Sequence, residues 1–147
     1  MRILICGDQH WRNELPYGPV ISDGRRAEWD AGITEIHKAG EPCDAVVLLG
    51  DNFNARHNHS SVIRRFVEFL KGFGNKQVHI VAGNHERYGT ETALDFLQTL
   101  TDKTWGYRNW FVYTAPTSTV VAGVPTFFIP YMTPHMMERL LKLCMRL

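Results

Sequence analysis

The stretch "IVAGNHERYG", Ile80 to Gly89, decides how this chain is read. An apolar run stops at Gly83, and an amide, an imidazole and a carboxylate follow at once in Asn84, His85 and Glu86. A turn needs no more than Gly-Asn, so His85 and Glu86 need another explanation. Two other stretches have the same form. Ile3-Leu4-Ile5-Cys6 runs into Gly7-Asp8-Gln9-His10, and Ala45 to Leu49 runs into Gly50-Asp51-Asn52-Phe53-Asn54. Each apolar run is short, rich in Val, Ile or Leu, and without polar alternation. That is the pattern of strands buried on both faces of a parallel sheet.

Two helical patterns separate the runs. The first covers roughly Ser22 to Lys38, with Ala27, Ile33 and Ile36 on one side. The second starts at Ser60 or Ser61, either of which can cap it, and sets Val62, Ile63, Phe66, Val67, Phe69 and Leu70 at helical spacing. The resulting β-α-β-α-β order predicts parallel strands joined by right-handed crossovers. Further on, Thr90 to Leu100 reads as a helix and Trp110 to Thr114 as a strand. Ser118 to Ala122 and Thr126 to Ile129 read as a hairpin across Gly123-Val124-Pro125. Thr133-Pro134 starts a last helix over Met136 to Leu147. The fold class is α/β, and residues 1–147 read as one domain. "MERLLKLCMRL" ends in mid-helix with no capping glycine, so the domain is expected to be incomplete at its C-terminus.

Composition excludes several classes of function. Hydrophobic residues make up 44% and charged residues 21%, an ordinary globular balance. Sixteen Lys and Arg against fifteen Asp and Glu leave a net charge of +1, so the chain has no overall polycationic character. Cys6, Cys43 and Cys144 form no CxxC pair and are odd in number, consistent with reduced thiols. No apolar run approaches the ~18 residues of a membrane span, and the start lacks a secretory pattern. The expected location is cytoplasmic, with no membrane partner.

In an open parallel sheet, ligands bind beyond the carboxyl ends of the strands, and all three polar clusters lie there. Asp8 and His10 are two residues apart and can share one cation. Asp51 has two carboxylate oxygens and can bridge two. Asn84 supplies a neutral carbonyl oxygen. Mixed oxygen and nitrogen donors suit manganese, iron or zinc better than a magnesium-only or thiolate site. Two such ions about 3.5–4 Å apart activate water and hold a phosphate oxygen, and His85 is placed to protonate the leaving oxygen.

These motifs resemble the first three of the calcineurin-like metallophosphoesterase superfamily: Asp-x-His at Asp8 and His10, Gly-Asp at Gly50 and Asp51, and Gly-Asn-His-Asp/Glu at Gly83 to Glu86. Three secondary features resemble the SbcD-type DNA-repair exonuclease branch, phage versions included. They are Gly24-Arg25-Arg26-Ala27-Glu28, Gly50-Asp51-Asn52-Phe53, and Ile129-Pro130-Tyr131-Met132-Thr133-Pro134. The resemblance implies an α/β/β/α sandwich, represented here by its N-terminal β-α-β-α-β half plus a hairpin and terminal helix. It implies two divalent metal ions, most simply Mn2+, with Fe or Zn as alternatives. Asp8 and His10 would bind the first, Asp51 would bridge, and Asn84 would bind the second. His85 becomes the catalytic histidine, with Glu86 helping to orient it. The activity implied is phosphodiester cleavage of DNA, with an SMC-type ATPase as partner and a homodimer built through helices.

The chain departs from the family pattern in one respect. The family's later Gly-His and Gly-His-x-His motifs supply three further ligands, and no Gly-His pair occurs in this chain. Weak or absent activity is therefore expected of the isolated 147-residue chain. Two other readings stay open: a phosphomonoesterase or small-nucleotide phosphodiesterase of the same superfamily, and a catalytically silent subunit. His37 reads as a surface helix residue and His79 as a packed strand residue. His57 and His59 read first as part of a solvated loop, and second as substrate contacts or partial replacements for the missing ligands. Arg12, Arg25, Arg26, Arg56 and Arg87 read equally as phosphate contacts or as solvated loop arginines, and Trp11 and Tyr88 as stacking partners for an unpaired base or as half-buried aromatics.

Overall fold

The computed structural model describes residues 1–12, 23–88, 91–101 and 107–144. In chain order its elements are β1 (Ile3–Gly7), α1 (Asp23–Gly40), β2 (Ala45–Leu49), α2 (Ser60–Lys71) and β3 (Gln77–Val81). They continue as β4 (Arg87–Tyr88), β5 (Glu91–Thr92), α3 (Asp95–Thr101), β6 (Trp110–Tyr113), β7 (Thr117–Val121), β8 (Val124–Phe128) and α4 (Pro134–Cys144).

Four strands form one parallel sheet in the order β1-β2-β3-β6. The three apolar runs are thus neighbours, and their carboxyl ends lie side by side. Register is direct: Gly7 pairs with Leu49, and Leu49 with Val81. Alternate residues face opposite sides of a strand. On one side Val46, Leu48, Val78, Ile80 and Trp110 pack with Phe66, Phe69 and Leu70 of α2 and Leu97 of α3. On the other, Ala45, Val47, Val81 and Tyr113 pack with Val121 and Phe128 of the β7–β8 hairpin. The hairpin is therefore a second β layer on the sheet, and the helices are a layer on its other face. This is the mixed α/β architecture expected of a metallophosphoesterase-type fold.

Phe53 and Phe66 are fully buried and meet edge to face, with ring centroids 4.7 Å apart. Burying each such side chain stabilises the fold by roughly 1.5–3 kcal/mol. These contacts fix the loop after β2 against α2.

Some local expectations are corrected. The cap of α2 is His59, whose Nδ1 accepts the Ser61 N–H at 3.2 Å, in place of Ser60 or Ser61. His37 is packed rather than free at the surface. Its ring stacks on Phe69 at 5.2 Å, and its Nε2 lies 2.9 Å from the Phe69 carbonyl oxygen. The helix expected from Thr90 begins at Asp95, because β4 and β5 pair antiparallel just before it. Thr92 and Asp95 bond each other there: the Thr92 N–H donates to Asp95 Oδ2 at 3.0 Å. The turn of the hairpin is tighter than read, confined to Ala122 and Gly123 at φ 47° and 86°. Paired positive φ angles are what a two-residue hairpin turn requires, so Val124 and Pro125 join β8.

Candidate metal centre

Backbone pairing continues beyond the ends of β1 and β2. The Asp8 N–H donates to the Gly50 carbonyl at 3.3 Å, His10 N–H to Asp51 at 2.9 Å, and Trp11 N–H to Asn52 at 2.7 Å. Asn54 N–H returns to the Trp11 carbonyl at 3.1 Å. Two loops distant in sequence are thereby locked in register. Asp8, His10 and Asp51 sit in the left-handed region, at φ 55°, 48° and 45°. Non-glycine residues seldom adopt this conformation, and such positions concentrate at functional sites.

The third loop closes on Asp51. The His85 N–H donates to Asp51 Oδ1 at 3.1 Å. One ligand atom each from His10, Asp51 and His85 lie within 4.8 Å of one another. The Asn84 amide is 3.0 Å from both Asp51 carboxylate oxygens. With its nitrogen turned inward, Asn84 donates to them; with its oxygen inward, three acceptors converge and only a cation relieves their repulsion. His10 Nδ1 is buried without a hydrogen-bond partner. The ligand atoms of His10, Asp51 and His85, brought together from three loops, form a mixed oxygen and nitrogen donor set that fits a divalent ion.

His85 is oriented by the loop after β2. Its Nδ1 lies 3.0 Å from the Asn54 carbonyl oxygen. A carbonyl only accepts, so Nδ1 carries the proton there and Nε2 is left for chemistry. Glu86 has other partners. It is fully buried, with Oε1 accepting the Phe53 N–H at 2.7 Å and Oε2 the Gly83 N–H at 2.6 Å. Burial raises its pKa, and the two amide donors offset only part of that rise. Its carboxylate thus holds loop backbones, and the contact that orients His85 comes from Asn54.

The remaining candidates fall into two groups. Asp8 stays at the rim, with its side chain 83% exposed and Oδ1 3.9 Å from His10 Nε2. Arg56 and His57 are exposed and line a pocket of about 350 Å³ with Glu86, Glu91, Thr92, Ala93 and Asp95. Two others are engaged elsewhere. His59 caps α2. Arg87 donates from Nη2 to the Thr114 carbonyl, just past β6. Arg12 is half-buried, and its Nε has no partner. The expectation that Trp11 stacks on a base is overturned: it is 3% exposed, packed on Phe66 and Phe69, with Nε1 donating to Gln9 Oε1 at 2.9 Å. Parallel pairing with Phe53 turns its ring into the core. The side chains of Arg25, Arg26 and Tyr88 lie outside the described residues.

Two supports escaped the sequence reading. Gly83 has no room for a side chain, because a Cβ there would collide with the backbone nitrogen and Oδ1 of Asp51. The Tyr131 N–H donates to the Ala82 carbonyl at 2.8 Å, tying the segment after β8 to the end of β3.

The family model for calcineurin-like phosphoesterases matches residues 1–142. The chain belongs to this family. The family carries out metal-dependent phosphoester hydrolysis with divalent ions, and the grouping of His10, Asp51 and His85 agrees with a metal-binding hydrolase domain. No curated protein matches the chain. Among the described residues, no helix is long and apolar enough to cross a membrane.

Proposed function

We propose that this domain hydrolyses phosphodiester bonds in DNA at a two-ion centre, weakly as the isolated chain, in the manner of the SbcD-type exonuclease branch, with Mn2+ as the working metal. The observation that carries this reading is the convergence of His10, Asp51 and His85 within 4.8 Å, beside the Asn84 amide, at the ends of three adjacent strands. Asp8 and His10 would hold the first ion, Asp51 both, and Asn84 the second. Bound there, the ions would supply a nucleophile at neutral pH and neutralise phosphate charge.

The protein's own groups do the rest. Asp51 fixes the third loop by accepting the His85 N–H. Asn54 accepts the Nδ1 proton of His85, so Nε2 is the nitrogen aimed at the leaving oxygen, and a ring that carries a second proton there passes it to that oxygen and returns to the neutral form. Arg56 and His57, at the rim of the neighbouring pocket, are the side chains best exposed to meet a DNA backbone. With net charge +1, that affinity is expected to be modest and to fall steeply with salt. An SMC-like ATPase and a second copy of the chain are the partners this branch would bring.

The test is incubation with Mn2+ and either linear or single-stranded DNA, beside small phosphate esters. Cleavage of DNA that is lost in His85→Ala supports the reading. Hydrolysis of small esters alone moves the chain to the phosphomonoesterase or small-nucleotide reading. A silent binding module is the third reading, favoured by the outward Asp8 carboxylate and by the missing Gly-His pairs. Tight uptake of two ions together with DNA cleavage would remove it.

A further inference from the structure

We infer that Glu86 is a positioning residue that sets the Asp51–Asn84 spacing, and with it uptake of the second ion; this rests on the two-ion reading above. Glu86 is a buried carboxylate that the proton transfers do not use. Its two oxygens take one backbone N–H from each of two loops, Phe53 at 2.7 Å and Gly83 at 2.6 Å. Phe53 lies two residues after Asp51, and Gly83 immediately precedes Asn84. The grip therefore falls next to both members of the pair whose side chains stand 3.0 Å apart. Asn52 reinforces it by donating to the Val81 carbonyl at 3.0 Å, tying the β2 loop to the end of β3.

Only a carboxylate satisfies this geometry. Two N–H groups from separate loops need two acceptors on one short, rigid group, and charge-assisted bonds of this length are strong. Glutamine offers one acceptor and sets its own N–H₂ against the other amide, which drives the loops apart. The His10 side of the centre is held differently, by the bond from His10 N–H to the Asp51 carbonyl. Glu86→Gln is therefore expected to separate the two halves of the centre.

The experiment is a Mn2+ titration of the full chain followed by electron paramagnetic resonance, which counts bound ions and reports the coupling between adjacent ones. Wild type is expected to bind two ions with a coupled signal. Glu86→Gln should keep the first within about threefold and weaken the second at least tenfold, losing the coupled signal. Leu97→Ala, a core change remote from the loops, serves as the control for lost stability and should retain two coupled ions. A Glu86→Gln protein that still binds two coupled ions, or that loses both together, overturns the inference. A wild-type chain that takes up fewer than two ions overturns the two-ion reading, and the inference with it. Should Glu86→Gln fail to fold, Glu86→Asp, too short to reach both amides, is judged on the same criteria.

Discussion

His85 Nδ1 stands 3.0 Å from the carbonyl oxygen of Asn54, so a residue of the β2 loop aims the imidazole carried by the β3 loop. The ring is aimed by this backbone carbonyl, with the His10 ring edge-on to it at 4.8 Å. Its own N–H donates to Asp51, a bond that needs no imidazole. His85→Ala should therefore lower turnover by about 10²–10⁴-fold while leaving metal content and fold in place. Metal analysis of the purified variant beside its rate checks this. A variant stripped of metal would show that His85 acts as a ligand.

Asp51 is the carboxylate on which the other groups converge. Asp51→Ala should lose both ions, in contrast to His85→Ala. It should also slacken the third loop, which loses the acceptor for the His85 N–H. Metal content by mass spectrometry separates the two variants; equal retention would exclude Asp51 as the bridge.

Gly83 leaves the space that Asp51 fills, and Gly50 faces it with its own φ at 57°. Gly83→Ala forces a methyl group into the Asp51 backbone and carboxylate. The expected loss is about 1–3 kcal/mol, the usual cost of overpacking, together with metal uptake. Gly50→Ala adds left-handed backbone strain to a Cβ contact with the Gly83 Cα at 3.0 Å, and should still cost less than a methyl group driven into the Asp51 backbone nitrogen. Chemical denaturation of the two variants tests the order.

His59 caps α2, and His57 is exposed. Replacing both with alanine should leave metal stoichiometry unchanged and cost on the order of 0.5–1 kcal/mol through the lost cap. A fall in bound metal would make this loop part of the centre.

His79 gives stability a pH dependence. It is 1% exposed, stacked on Phe111 and Phe128, with Nδ1 2.8 Å from the Tyr113 hydroxyl. Burial lowers its pKa, so the unfolded chain takes up a proton at higher pH than the folded one. Stability is full above the ordinary imidazole value of about 6.5. It falls as pH drops from there toward the lower folded value, and then levels off. Thermal midpoints between pH 5 and 8 should show this slope for wild type and a flatter one for His79→Phe.

The parallel sheet and the grouping of three clusters could be read from sequence because each rests on a local pattern: an apolar run ending in a glycine and a ligand. The supporting contacts could not. Glu86 sits next to His85 in sequence, but which backbone amides a carboxylate meets depends on how separate loops approach. Trp11 looks available beside His10, yet the parallel pairing of loops turns it inward, and no local periodicity reports that pairing. The late start of α3 depends on bonds between Thr92 and Asp95 that helix propensity does not see. His37 and His59 found partners in the C-terminal turn of α2 and at its cap, sites that come into being only once α2 is packed.

The loops after β1 and β2 share a reading frame. Donors from Asp8, His10 and Trp11 meet acceptors on Gly50, Asp51 and Asn52, with Gln9 passed over between the first two. One residue inserted between Gly7 and His10 would put the imidazole where the indole now packs and take the indole off Phe66 and Phe69. Loop length at this edge is therefore fixed as tightly as residue identity, and a change in one loop needs a matching change in the other.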